Sequence, residues 1–405
     1  MYDALIVGGG PAGSTCARFL TRAGMRVAVI DRAEFPRVKL CAGWLSPPFW
    51  DVIERTPREY PRGLWEWHTC HVHYRGKQYS VRGHGWFIRR YELDDWLLRE
   101  SGAELHLGAN VKDIVREPDG TWRIGELRGR YLVGAGGTHC PVARLLAPER
   151  PRRAVGAREL ELQTDERAIE RTRMGDDGEP ELVLFEGLGG YGWNVPKKDW
   201  LNVGCGTLDA TAVHDAWDVT HALLRAAGHV PDEAEPQLQK MKGHSYFLFD
   251  PAHLARAAGH GEHANVFLIG DSLGLAHPLT AEGILPASTS GRVLAESILA
   301  GDAGRYPVRL FQHPVIAEYH RTYRLIEAAR RLKARRHANG NGNGAAKGSP
   351  ADPLVARGFA WMFSGARMPA AKLVDFALDH LIDRRTITTD PSGRLFKERH
   401  ERRVS

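Results

Sequence analysis

Glycines 8, 10 and 13 stand in Gly8-Gly9-Gly10-Pro11-Ala12-Gly13, directly after the apolar run Ala4-Leu5-Ile6-Val7 and before the helical pattern Cys16-Ala17-Phe19-Leu20. A strand, a glycine turn and a helix in that order aim backbone N–H groups and a helix N-terminus at a phosphate. Gly8 permits the tight turn, Gly10 lets a pyrophosphate approach the backbone, and Gly13 lets helix and strand pack closely. A second apolar run, Val27-Ala28-Val29-Ile30, then delivers Asp31 where a carboxylate can accept from a ribose hydroxyl. Ala12 within the turn and Arg32 beside Asp31 complete the expected contact set. The pattern predicts a bound dinucleotide.

A second motif decides which one. Asn265-Val266-Phe267-Leu268-Ile269 reads as a buried strand that ends in the turn Gly270-Asp271, where an Asp can hold a polyol chain. Pro278-Leu279-Thr280-Ala281-Glu282-Gly283-Ile284 follows and starts another helix. A helix N-terminus at Gly283 and Ile284, aimed at the pyrimidine edge of a flavin, would stabilise the negative charge of its reduced form. The two motifs bracket one long cofactor, which predicts FAD rather than NAD.

With Phe35-Pro36-Arg37-Val38-Lys39-Leu40-Cys41-Ala42-Gly43 and Tyr191-Gly192-Trp193-Asn194-Val195-Pro196, these motifs resemble the geranylgeranyl reductase family. That family lies within the FAD-dependent para-hydroxybenzoate hydroxylase-like superfamily, and the resemblance covers about the first 330 residues. It implies an α/β fold in which a Rossmann-like FAD-binding domain is interleaved with an antiparallel-sheet substrate domain, followed by a helical C-terminal region. Lys39 and Cys41 match the family's element beside the flavin, Ala42 stands in it where the family has glycine, and Cys41 is the implied proton donor or tuning thiol. Trp44 stands where the family has glycine, so the substrate space is expected to be narrower. Tyr191 and Trp193 match the aromatic box that lines the family's isoprenoid tunnel, with Val195 in place of Phe. Arg90 is carried over as a cofactor contact at the start of a helix. Gly136 stands where related hydroxylases carry an Asp that engages NAD(P)H, which leaves the electron donor open between NAD(P)H and an electron-donor protein.

A chain of 405 residues, 43% apolar, suits two interleaved domains with an appendage. Segments 1–45, 85–150 and 255–300 are expected to build the FAD-binding domain, and 46–84 and 151–254 the substrate domain. Residues 301–337 read as a basic helical region, 338–350 as a flexible linker rich in Asn-Gly, and 351–405 as C-terminal helices and tail. That tail could lie on a membrane, make a dimer contact or dock as a lid, and acidic Asp375, Asp379 and Asp383 favour docking. The net charge of +6 is compatible with an anionic substrate or a membrane surface, but no aromatic-interleaved basic motif marks a nucleic-acid partner.

The five cysteines, Cys16, Cys41, Cys70, Cys140 and Cys205, form no CxxC pair. That disfavours an iron–sulfur centre and fits a reducing compartment, and no other metal-ligand set is assigned. No apolar run reaches the ~20 residues that a bilayer requires. The N-terminus runs straight into a core strand without a signal-like segment, so the expected location is cytoplasmic, with a peripheral membrane contact open.

The expected reaction is hydride transfer from reduced FAD to a C=C bond of an isoprenoid or polyprenyl quinone, with a proton from Cys41, a Tyr or water. A flavin monooxygenase or halogenase is the main alternative. Trp193-Asn194-Val195-Pro196 lacks the first Trp of a halogenase box, and Ala281-Glu282-Gly283-Ile284-Leu285 is not the G-Q-G-x-N turn of aromatic hydroxylases. A non-catalytic flavin-binding partner is the third reading.

Overall fold

Parallel strands buried on both faces need continuous apolar sequence, and the first two runs of the chain supply it. In the computed structural model, which describes residues 1–146, 154–172, 179–186, 189–338 and 363, fifteen strands form two sheets. In chain order they are Tyr2–Val7 (β1), Val27–Ile30 (β2), Trp44–Leu45 (β3), Trp65–Tyr74 (β4), Lys77–Phe87 (β5), Glu104–His106 (β6), Val115–Arg116 (β7), Trp122–Ile124 (β8), Leu127–Gly134 (β9), Ala154–Gln163 (β10), Glu181–Leu184 (β11), Gly190–Lys197 (β12), Trp200–Thr207 (β13), Lys242–Phe247 (β14) and Val266–Leu268 (β15).

The first sheet has seven strands in the order β6-β2-β1-β9-β8-β7, with β15 beside β9. β1 lies parallel between β2 and β9, and Ala4, Leu5 and Ile6 are fully buried there. Helix Pro11–Arg22 leaves β1 through the glycine turn and packs on helix Ile284–Leu299. Their approach is close enough that a Cβ on Gly291 would sit 2.3 Å from the carbonyl of Ala12.

Eight strands make the second sheet, ordered β14-β10-β13-β12-β11-β4-β5-β3. It is antiparallel except where β11 meets β4. The β4–β5 hairpin expected from the alternation around residues 70–81 is present, and Arg75 and Gly76, both at positive φ, make its turn. One face of this sheet packs helix Val213–Ala226 against Val183, Val203 and Cys205. The other carries Tyr191, Trp193 and Tyr246. The α/β architecture expected from the motifs is therefore present. The basic region past residue 300 contains the helices Tyr306–Gln312 and Pro314–Ala338, and the expected C-terminal helices lie outside the described residues except for Phe363.

Behind the second sheet, Glu181 accepts hydrogen bonds from His229 Nδ1 (2.7 Å), His73 Nε2 (2.9 Å) and Asn194 Nδ2 (2.9 Å). Burial acts to raise its carboxyl, but the bonds from His229 and His73 outweigh it and hold the group down at about 2. A folded-state value below the ordinary carboxylate range contributes stability above about pH 4.5 that is lost as pH falls toward 2. Glu181→Gln should therefore lower stability by about 1.5–3 kcal/mol at neutral pH. Thermal midpoints measured across acid pH should fall less steeply in the variant than in the wild type.

Candidate functional site

The three glycines of the first turn have separate physical jobs. Gly8 has φ +118°, and a Cβ there would lie 2.3 Å from the carbonyl of Ala135. A Cβ on Gly13 would lie 1.9 Å from the carbonyl of Gly8. Gly10, in contrast, is extended and faces open space, its nearest neighbour being the Arg37 guanidinium at 3.5 Å. Packing requires the first two, and only a ligand requires the third. The helix that starts there has no acidic residue in its first turn, so its N–H groups and Arg37 together present positive potential.

Asp31, at the end of β2, is fixed beside this turn by the backbone N–H groups of Gly9 (2.7 Å) and Ala33 (2.9 Å). Arg32 is exposed. Ala12 is buried, and its methyl would meet a Cβ on Gly270 at 2.9 Å, so it sets the packing under the turn rather than facing outward. Gly136 precedes Gly137, whose N–H donates to Ser272 Oγ at 3.0 Å, which joins the Ala135-Gly136-Gly137 loop to the Gly270-Asp271 turn. Gly283 caps the Ile284–Leu299 helix without a side-chain bond, leaving the first N–H groups of that helix without a side-chain cap. These residues fit FAD: an open phosphate cradle, a fixed ribose acceptor, Asp271 at a polyol position and a second helix N-terminus.

The aromatic box follows from strand alternation. On β12, Gly192 points to the packing helix, where a Cβ would lie 2.1 Å from Thr220 Oγ1, and Tyr191, Trp193 and Val195 point the opposite way. Tyr191 hydroxyl donates to the carbonyl of Thr280 at 2.5 Å. Trp193 Nε1 donates to Asn202 Oδ1 (2.7 Å), and Asn202 Nδ2 donates to the carbonyl of Cys41 (3.3 Å). The box thus grips both loops that carry flavin motifs.

Cys41 is half-buried, and its sulfur accepts from the Gly43 N–H at 3.4 Å. Arg90 faces that thiol and is held in a two-pronged ion pair with buried Asp94, at 2.6 and 2.7 Å. Arg37 reaches the same carboxylate at 3.1 Å. Lys39 is half-buried and acts, with Arg90, on Asp271, whose carboxyl burial raises. Ala42 is partly buried against the aromatic cluster.

Trp44 lies inside that cluster, with ring centroids 4.8 Å from Phe87 and 5.0 Å from Trp67. Phe363 covers it at 4.5 Å and lies 5.8 Å from Tyr191, while Trp44 Nε1 donates to the Phe363 carbonyl at 3.2 Å. Tyr191, Trp193, Val155, Tyr246, Leu248 and Leu279 line an apolar cavity alongside.

Several residues here escaped the sequence reading. Asn202 bridges the box to Cys41. Lys197 is fully buried and donates to Ile88 carbonyl (2.9 Å) and Glu161 (2.7 Å). Burial raises Glu282 to about 7 against a 2.8 Å bond from Ser46 Oγ. Glu159 is 1% exposed and packs beside Trp193 over Gly204. Burial of such groups carries no local sequence signal.

Comparison with known proteins agrees with this geometry. A model of the FAD binding domain family matches residues 1–54. Menaquinone reductase of Mycobacterium tuberculosis is 29% identical over 335 residues, covering 75% of this chain and 78% of the relative. Digeranylgeranylglycerophospholipid reductase 2 of Methanopyrus kandleri is 25% identical over 366 residues, covering 82% and 86%. In structure, PqsL, a probable FAD-dependent monooxygenase from Pseudomonas aeruginosa, superposes with a TM-score of 0.56 at 19% identity, covering 79% of this chain and 94% of that one. A geranylgeranyl bacteriochlorophyll reductase-like protein from Thermoplasma acidophilum gives 0.54 at 17% identity, covering 97% and 94%.

The first 54 residues match an FAD binding domain, and the fold is one shared with an FAD-dependent monooxygenase and a geranylgeranyl reductase-like protein. In sequence the chain is similar to a digeranylgeranylglycerophospholipid reductase, and in fold to a geranylgeranyl bacteriochlorophyll reductase-like protein.

Gly10→Val should fold normally, because its Cβ meets only a flexible guanidinium, yet lose FAD, because the side chain would fill the phosphate cradle. Gly13→Val should fail to fold or lose several kcal/mol, in excess of the ~1–3 kcal/mol of ordinary overpacking. Circular dichroism and the flavin absorbance of the purified variants check both outcomes.

Proposed function

We propose that this protein reduces C=C bonds of an isoprenoid or polyprenyl substrate. Bound FAD, once reduced, supplies a hydride from N5. The observation that carries the reading is the apolar, aromatic-walled cavity beside Tyr191 and Trp193, tied by Asn202 to the Cys41 loop. A prenyl chain offers no hydrogen-bonding groups, so flat faces and excluded water must orient it. The relatives named as menaquinone and digeranylgeranylglycerophospholipid reductases support this substrate class.

Under this reading the strands of the second sheet form the substrate domain and those of the first hold FAD. Tyr191 is a wall and a tether rather than an acid, since its proton is engaged with Thr280 and burial pushes its hydroxyl far above the ordinary value. Electrons come from NAD(P)H or an electron-donor protein. Among the described residues no helix is long and apolar enough to cross a membrane, so a lipid substrate would be met from the surface.

Monooxygenase chemistry is the second reading, favoured by the shared fold of PqsL. Anaerobic stopped-flow measurement separates them. Dithionite-reduced protein should be reoxidised by a menaquinone or a geranylgeranyl lipid and only slowly by oxygen; the reverse order would assign a monooxygenase. Trp193→Ala should slow the prenyl reaction roughly ten- to a hundredfold through lost positioning. Its FAD content should stay near that of the wild type, and combined loss of flavin and fold would make Trp193 a core residue instead.

A further inference from the structure

Glu159 is a buried acidic residue packed against Trp193 of the aromatic box, and the reaction as described gives it no task. It lies on β10 opposite Gly204 of β13, and Gly204 in turn lies opposite Trp193 of β12. Gly204 has no room for a side chain: a Cβ there would lie 2.5 Å from the Trp193 ring and 2.6 Å from Glu159 Cβ, so these two side chains close over the glycine together. Glu159 and Trp193 therefore share one face of the sheet and one space. Both carboxyl oxygens are buried and have no hydrogen-bond partner among the described residues.

A buried carboxylate in that condition is costly, whereas a neutral carboxylic acid is tolerated and keeps a proton to give. Desolvation is the dominant influence on Glu159 and raises it to about 8. Lys39 from the loop before Cys41, Lys197 from β12 and Arg90 from the 90–99 helix oppose the rise, while Glu161 on β10 adds to it. Lys242, across from it on β14, is exposed. Tyr191 and Tyr246, on the flanking strands, are themselves raised by burial and by Glu159.

We propose that Glu159 is the proton donor of the reduction, delivering its carboxyl proton to the substrate carbon that does not receive the hydride. The inference rests on the alkene-reductase reading above. In the step, the π pair of the alkene forms one C–H bond with the Glu159 proton, and hydride from the reduced flavin forms the other. The substrate gains two electrons and the flavin loses two. Glu159 is left as carboxylate and regains its proton from solvent. Cys41, held by Gly43 and facing Arg90, then shapes the site without being the acid.

Glu159→Gln preserves shape and removes the acid. With a menaquinone bearing a four-isoprene tail, dispersed in detergent, as probe, single-turnover formation of the tail-saturated product by the dithionite-reduced variant should be about 100-fold or more slower than wild type, at unchanged FAD content. The wild-type rate should fall as pH rises through about 8, because the protonated form is the active one, and that dependence should vanish in the variant. Infrared spectroscopy of the oxidised wild type at neutral pH should show a protonated carboxyl C=O band that shifts in D2O and is missing from Glu159→Gln.

Absence of that band, or a variant as fast as the wild type, overturns the proposal. Failure of the wild type to reduce the probe counts against the substrate reading, and the infrared band still decides whether Glu159 holds a proton.

Discussion

Two hydrogen bonds from one strand hold the two halves of this molecule in register. Tyr191 hydroxyl reaches the carbonyl of Thr280, in the loop before the Ile284–Leu299 helix, and Trp193 reaches Cys41 through Asn202. Both aromatic rings pack largely on apolar side chains, so each buried bond is directional as well as stabilising. Because Tyr191 and Trp193 alternate with Gly192, the same strand admits the Val213–Ala226 helix on its back. The spacing of the box therefore fixes sheet, helix and loops at once.

The price of an apolar substrate space is desolvation of every ionisable group that borders it. Glu159, Glu282 and Asp271 are all raised by burial, and Tyr191 and Tyr246 are raised in the same way. Lys39, Arg90 and Lys197 partly offset this around Glu159. The burial that excludes water from the apolar cavity thus also raises the carboxyl groups around it.

Much of the frame was legible because it rests on local rules. Gly8, Gly13 and Asp31 are dictated by one strand, one turn and one helix, and the apolar runs at 4–7 and 27–30 could only be buried parallel strands. The Gly270-Asp271 turn and the helix from Ile284 were legible for the same reason. Arg90 was placed correctly at a helix start, but its two-pronged pair with Asp94 and its approach to Cys41 depend on tertiary contacts that no short motif announces.

Glu159 shows why the rest was hidden. Along β10 the sequence alternates Arg158, Glu159, Leu160, Glu161, Leu162, and the usual inference sends leucines inward and glutamates to water. Here both faces of the strand are covered. Leu160 and Leu162 meet the core beneath the Val213–Ala226 helix, and Glu159 meets Trp193 across Gly204. The polar face of an amphipathic strand becomes interior only when other segments close over it, and those that reach Glu159 include the loop at Lys39 and the helix at Arg90, both distant in sequence. A period of two reports that a strand has two unlike faces; which of them is wet is decided by the tertiary structure.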